Sequence, residues 1–286
     1  MTIGKRLIST ATSGSTVHLT IEEFEVPDLG PNEVLIEVEA SPINPSDLGL
    51  LLAGADPSTA TKSGNGLILS LPDGAIDALK GRVDQGMPVG NEGAGVVVDA
   101  GTSEDAQALL GRVVAVLAGG MYATHRIVKA RDCLVLEEGT AAVDAASCFV
   151  NPLTALGMTE TMRLEGHSAL IHTAAASNLG QMLNRICIDD EIALVNVVRR
   201  EEHVELLKAQ GAAHVVNLSS VNFRSDLVQA ITATGATIGF DAIGGGELTT
   251  ELLNAMELAA SSSGDEYSRY GSTTHKQLYI YGGLDR

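Results

Sequence analysis

Residues 169 to 186 read ALIHTAAASNLGQMLNRI: an apolar run, a short bend, and an amphipathic run opening near Leu179. A strand that turns directly into a helix leaves the first backbone N–H groups of that helix unpaired at its positive end, an arrangement that attracts phosphate. In turns that hold a dinucleotide pyrophosphate, three glycines permit the bend, let the backbone approach the phosphates and let the helix pack on the strand. Those positions fall here at Ala175, Ser177 and Gly180, so one glycine of three survives. The attraction resides in backbone amides rather than side chains, and the Ser177 hydroxyl adds a donor, so the stretch from Ala175 through Ser177, Asn178, Leu179 and Gly180 keeps the chemistry of such a turn. The same residues also suit an ordinary strand-to-helix turn capped by Ser177 or Asn178.

One strand further on, LVNVVRREEH (194 to 203) bears on the choice. An acid at the end of the second strand accepts the ribose 2′-hydroxyl of NAD, whereas an NADP site lacks that acid and supplies arginine for the 2′-phosphate. Val198 stands where the acid would fall, followed by Arg199 and Arg200. A guanidinium fork suits a doubly charged phosphate. The other reading pairs both arginines with Glu201, Glu202 or Glu205 on a solvated helix start, where a cation opposes the helix dipole.

These residues sit in a chain of 286 with 45% hydrophobic residues, long enough for two domains with their own cores. Eighteen basic against 36 acidic residues give a net charge of -18, which repels nucleic acid and anionic membrane surfaces. Cys133, Cys148 and Cys187 are odd in number and widely spaced, so they build neither a disulfide framework nor a zinc loop. With no apolar run of membrane-spanning length, a cytoplasmic protein is expected.

Two rhythms divide the chain. Residues 1–150 carry short β-branched runs broken by Gly and Pro, such as NEVLIEVEASPI and GRVVAVLAGG, the pattern of a small β-rich barrel or sandwich. Residues 53 to 89 read as a loop-rich insertion with one short helix near DGAIDALKGRV. Residues 151–286 alternate strands (168 to 173, 192 to 198, 213 to 217, 237 to 243, 277 to 282), buried on both faces, with helices (179 to 188, 201 to 210, 223 to 233, 247 to 259). Strand and helix alternating in this way predict an α/β, doubly wound parallel sheet with five strands, its sixth missing.

Taken together, EVLIEVEASPINPSDL, VGNEGAGVVVDAG, NPLTALGM and HTAAASNLG resemble, in that order, segments of the zinc-independent quinone oxidoreductases of the medium-chain dehydrogenase/reductase superfamily, zeta-crystallin among them. The resemblance covers nearly the whole chain. It implies a GroES-like catalytic domain followed by an NADP-binding Rossmann domain, NADP(H) as cofactor, and hydride transfer to a small-molecule quinone or conjugated enone. It also implies that Asn44 contacts substrate or nicotinamide ribose, that Asp47 holds its segment, that Thr154 contacts the nicotinamide, and that Ala242, Ile243, Gly282 and Gly283 line its path at the strand ends. NPSD is equally good turn and helix-cap sequence, which leaves the roles of Asn44 and Asp47 open.

Zinc-dependent relatives place a cysteine in the segment matching SPINPSDL and a histidine before the Glu of GNEGAG; this chain has none in the first and Asn91 in the second. Glu92 alone cannot make a catalytic zinc site, so no metal is expected. Where such oxidoreductases often carry a tyrosine, Gly49, Leu50, Leu51 and Leu52 stand, so a proton would come from solvent or ribose. That gap admits an alternative, a catalytically silent NADP-binding relative acting as scaffold or redox sensor. A family-type homodimer is expected only with further C-terminal sequence. His172 reads as a packed histidine, and Tyr267, Tyr270, His275 and Lys276 as surface or packing residues, since ligands in such sheets sit at the opposite strand ends.

Overall fold

The computed structural model describes residues 2–244, 246–262 and 269–283, so Tyr267 lies outside the described residues. The chain forms two compact units, Met1–Val150 and Asn151–Arg286.

The first unit opens with β1 (Ile3–Thr12), β2 (Thr16–Glu25) and β3 (Glu33–Ala40), followed by α1 (Pro45–Leu52). Next come β4 (Thr61–Ser63), β5 (Gly66–Ser70), α2 (Ala75–Ala78), β6 (Met87–Pro88) and β7 (Glu92–Ala100). The unit closes with α3 (Glu104–Gln107), β8 (Val113–Leu117), β9 (His125–Lys129), β10 (Cys133–Val135) and α4 (Ala142–Ala145). Its strands form two antiparallel sheets, β4-β5-β2-β1-β6 and β10-β8-β7-β3-β9, the curled β-rich architecture of a GroES-like domain. Val34 and Ile36 of β3 point into one core, and Leu35 between them is buried on the opposite face, so this strand is covered on both sides.

Residues 53 to 89 are not an insertion. β5 pairs with β2 along its whole length, β6 pairs with β1, and Ala53, Ala55, Leu69 and Leu71 share a core with Ala11, Val17 and Leu19. The strands escaped sequence reading because they are short and joined by the polar turn SGNG, so neither shows a period of useful length. Gly66 is required where β5 crosses β2: a Cβ there would lie 1.9 Å from the Leu19 carbonyl oxygen.

α5 (Val150–Leu164) leads into the second unit. There β11 (Ala169–His172), α6 (Asn178–Asp189), β12 (Ala193–Val198), α7 (Glu201–Ala209), β13 (His214–Asn217), α8 (Phe223–Thr234), β14 (Ile238–Asp241), α9 (Gly246–Ser262) and β15 (Gln277–Ile280) alternate without exception. All five strands are parallel, in the order β13-β12-β11-β14-β15, a doubly wound sheet whose direction of winding reverses between β11 and β14. β11 and β14 are buried throughout, as expected of strands covered on both faces. β15 departs from that expectation: Ile280 is 55% exposed, because the strand forms the sheet edge among the described residues. No helix among the described residues is long and apolar enough to cross a membrane.

The segment entering β15 is clasped to α9. The Glu257 carboxylate accepts from Lys276 Nζ at 2.6 Å, from the Ser272 amide at 2.8 Å and hydroxyl at 3.0 Å, and from the Ser261 hydroxyl at 2.8 Å. Lys276 is thus a packing residue, whereas His275 is exposed and Tyr270 is 87% exposed. These donors, the Lys276 ammonium foremost, hold the Glu257 carboxyl down at about 2. A carboxylate held below its unfolded value near pH 4.3 stabilises the fold above that value and loses the contribution as pH falls through the folded one. Glu257→Gln is therefore expected to lower the urea midpoint at pH 7, with a deficit that shrinks as pH falls from about 4.3 toward 2. A deficit of equal size at pH 7 and pH 3 contradicts this.

Candidate functional site

The bend between β11 and α6 is built from hydrogen bonds rather than glycines. Ala174 takes the left-handed conformation at φ 49°, so the sharp turn falls one residue before Ala175, the position expected from the glycine pattern. Ala175 is fully buried and packs with Val198, Val204 and Leu207, its amide donating to the Val197 carbonyl at 3.2 Å. The Ser177 amide closes the bend onto Ala174 O at 2.9 Å, and the Ser177 hydroxyl caps α6 by accepting from the Gly180 amide at 3.1 Å. Both the capping reading and the survival of Gly180 thus have structural content. A Cβ at Gly180 would lie 2.2 Å from the Ala175 carbonyl oxygen, so only glycine lets helix and bend meet. Asn178 and Leu179 occupy the first two helical positions, and their amides have no acceptor among the described residues.

A second corner forms at the C-terminal ends of β11, β14 and β15. Asp241, fully buried, accepts from the Thr173 hydroxyl at 2.7 Å, from the Ile243 amide at 2.9 Å and from the Gly244 amide at 3.3 Å. Thr173 in turn accepts from the Ala242 amide at 2.9 Å, stitching β11 to β14. Gly282 is needed where the two strand ends converge, since a Cβ there would meet the Ala242 carbonyl oxygen at 2.1 Å. The structure thus brings the residues after β14, Ala242 and Ile243, beside those after β15, Gly282 and Gly283, one strand from the winding reversal. Behind them His172 is fully buried, stacked on Tyr281 with ring centroids 5.9 Å apart, its Nε2 2.7 Å from the Tyr281 hydroxyl. Burial pushes the imidazole down to about 4, against the opposing pull of the Asp241 charge. His172 is a packed neutral histidine, as its place in the strand suggests.

Arg199 and Arg200 follow β12 and are exposed, while Val198 is buried. They differ in surroundings. Arg200 pairs with Glu202 at 2.9 Å and reaches His203 Nε2 at 2.6 Å, the solvated-helix arrangement. Arg199 has no ion-pair partner among the described residues, and its carbonyl accepts from the Ser219 hydroxyl at 2.8 Å, which ties the β12 and β13 ends together. Thr154 lies half-buried on α5.

In the first unit, Asn44 and Asp47 begin α1 as cap and first-turn residues, both almost fully buried. The Asp47 carboxylate accepts from the Asn44 amide and from the Asn91 amide, each at 2.8 Å, so it joins the 44–47 turn to the start of β7. Asn44 Nδ2 donates to Glu92 Oε1 at 2.9 Å, and Glu92 Oε2 accepts from the Phe149 and Val150 amides at 2.8 and 3.0 Å. Sequence reasoning weighed Glu92 only as a metal ligand and missed it as the group that orients Asn44. It also missed Thr173 and Asp241, whose one signal was a buried acid at a strand end. Among the described residues, no three His, Cys, Asp or Glu side chains converge as a metal-ligating set.

Two outcomes follow from this geometry. Gly180→Ala must push α6 off the bend, and overpacking of this kind costs about 1–3 kcal/mol, readable by urea unfolding; an unchanged midpoint contradicts the close approach. Because His172 stays neutral to about pH 4 when folded but takes a proton near pH 6.5 when unfolded, it makes stability fall as pH drops from 6.5 toward 4. His172→Phe is expected to flatten that part of the stability profile.

No protein-family model matches the chain. It is 26% identical over 278 residues to the mitochondrial enoyl-[acyl-carrier-protein] reductase of Xenopus tropicalis, covering 94% of this chain and 67% of that protein; it spans 58% of the bovine counterpart. A proposed NADPH:quinone reductase from Mesorhizobium loti superposes with a TM-score of 0.70 at 27% identity, over all of this chain and 76% of that one. Etr1p, a 2-enoyl thioester reductase of Candida tropicalis solved with NADP and crotonyl-CoA, shares the fold with a TM-score of 0.68 at 22% identity, over 99% of this chain and 76% of that one. Fold, motif order and these likenesses together make the chain similar to members of the medium-chain dehydrogenase/reductase superfamily.

Proposed function

We propose that the chain is an NADP(H)-dependent oxidoreductase that delivers hydride, without a metal, to an electron-poor alkene conjugated to a carbonyl, a quinone or an enone. The observation that carries this is the α6 start: Gly180 held against the bend, with the Asn178 and Leu179 amides left for an anion. The cofactor class follows from the β12 end, where buried Val198 offers no acceptor for a 2′-hydroxyl and the exposed Arg199 has its guanidinium available for a 2′-phosphate. Quinones, enones and enoyl thioesters share the same acceptor chemistry, which agrees with relatives named quinone reductase and enoyl reductase.

When bound, the nicotinamide supplies the hydride. The chain's own residues hold and orient. Ser177, Asn178 and Leu179 take the pyrophosphate, Arg199 with Arg200 the 2′-phosphate, and Thr154, Ala242, Ile243, Gly282 and Gly283 the nicotinamide half. Asn44, aimed by Glu92, and Asp47, which fixes the turn carrying Asn44, position the acceptor carbonyl. Asn91, standing where zinc-dependent relatives place a histidine, supports the metal-free reading, and the free cysteines suit a reducing cytoplasm.

Calorimetric titration is expected to show NADPH binding at least about tenfold more tightly than NADH, as one charge-assisted contact supplies. Arg199→Ala should remove most of that preference, and Arg200→Ala less, since Arg200 already pairs with Glu202. Equal binding of the two cofactors contradicts the assignment. Leu50, Leu51 and Leu52 on α1, where a tyrosine donor often stands, favour a second reading, a cofactor-binding but silent scaffold or sensor. Loss of the NADPH absorbance band with a simple quinone or crotonyl-CoA separates the two.

A further inference from the structure

The bend that holds Asn178 and Leu179 outward is short of glycine, and a peptide that rotates there presents a carbonyl oxygen where an anion needs N–H. The Ala176–Ser177 peptide is the one most exposed to that hazard, lying between the left-handed Ala174 and the first turn of α6. It is pinned at both ends. Its N–H donates to Ala174 O at 2.9 Å, and its carbonyl accepts from the side chain of Gln181, Nε2 to O at 3.0 Å. Gln181 is itself held: its Oε1 accepts from Gln210 Nε2 at 2.7 Å, and its backbone amide donates to Ser177 O at 2.9 Å. Gln210 is the residue that ends α7, so the brace runs from the end of one helix, across a partly buried pair of carboxamides, to the bend that starts another.

We infer that Gln181 is a positioning residue for dinucleotide binding, turning the Ala176 carbonyl inward and so doing with a side chain what the lost glycines do with backbone freedom. The inference rests on the NADP(H) reading above. A carboxamide is the side chain suited to the place, because it must donate to Ala176 O and accept from Gln210 at once. Methionine has the same reach and neither function. Glutamate accepts from Gln210 but donates to Ala176 only when protonated.

The test is titration of the full chain with NADP⁺, which tolerates acid, at pH values from 5 to 8, using wild type, Gln181→Met and Gln181→Glu, each variant expressed as a ratio to wild type at the same pH. Losing one neutral hydrogen bond from the turn is expected to weaken Gln181→Met about threefold to tenfold, at every pH. Gln181→Glu is expected to be the weakest binder at pH 8 and to recover toward wild type as pH falls and its carboxyl gains a donor hydrogen. Wild-type affinity in Gln181→Met overturns the inference whatever the glutamate variant does, and so does a Gln181→Glu ratio that stays flat with pH. Should Gln181→Met fail to fold, the pH course of Gln181→Glu decides, read beside its urea midpoint at each pH: affinity that recovers without a matching rise in the midpoint supports the inference, and affinity that only tracks the midpoint overturns it, because protonation also relieves the structural cost of a buried carboxylate. Failure of wild type itself to bind NADP⁺ defeats the cofactor assignment instead, a separate outcome.

Discussion

Helix α6 meets the end of β11 so closely that the Ala175 carbonyl oxygen occupies the space a Cβ of residue 180 would need, at 2.2 Å. That single close approach sets the direction in which the helix leaves the sheet, and with it the direction of the two unpaired amides at its start. The rest of the corner adapts to it. Ala174 accepts a left-handed conformation that costs an L-residue roughly 1–2 kcal/mol, offset by hydrogen bonds that a glycine turn could do without: Ser177 N to Ala174 O, Ala175 N to Val197 O, and Gln181 to Ala176 O. The opening sequence HTAAASNLG is therefore a strand-to-helix turn in which contacts stand in for conformational freedom.

Buried carboxylates organise the remaining corners by the same means, collecting backbone amides. Asp241 gathers the loop after β14 and Glu92 the amides at the start of α5, while Asp47 joins α1 to β7. In a chain of net charge -18 most acids face water and raise solubility; these three are spent inside, each accepting at least two donors, so that the burial of charge is compensated.

Much of this was legible in the sequence because it depends on local pattern. Five strands and four helices of the second unit fall within a few residues of the apolar runs and the Gly and capping signals that mark them, and Gly180 is the turn glycine that packing requires. What escaped depends on partners far along the chain. The strands within 53 to 89 are recognisable only once β2 and β1 are beside them. The split between Arg199 and Arg200 turns on the rotamer that takes Arg200 to Glu202. Glu92 reaches Asn44 across 48 positions and Gln210 reaches Gln181 across 29, separations that no periodicity encodes.

The central claim is that the bare amides at the start of α6 hold a phosphorylated dinucleotide. Amide-resolved NMR of the chain during NADPH addition addresses it most directly. The account predicts that the Asn178 and Leu179 N–H resonances move downfield together, in step with saturation, as each gains an anionic acceptor. Saturable binding that leaves both resonances where they were would contradict it.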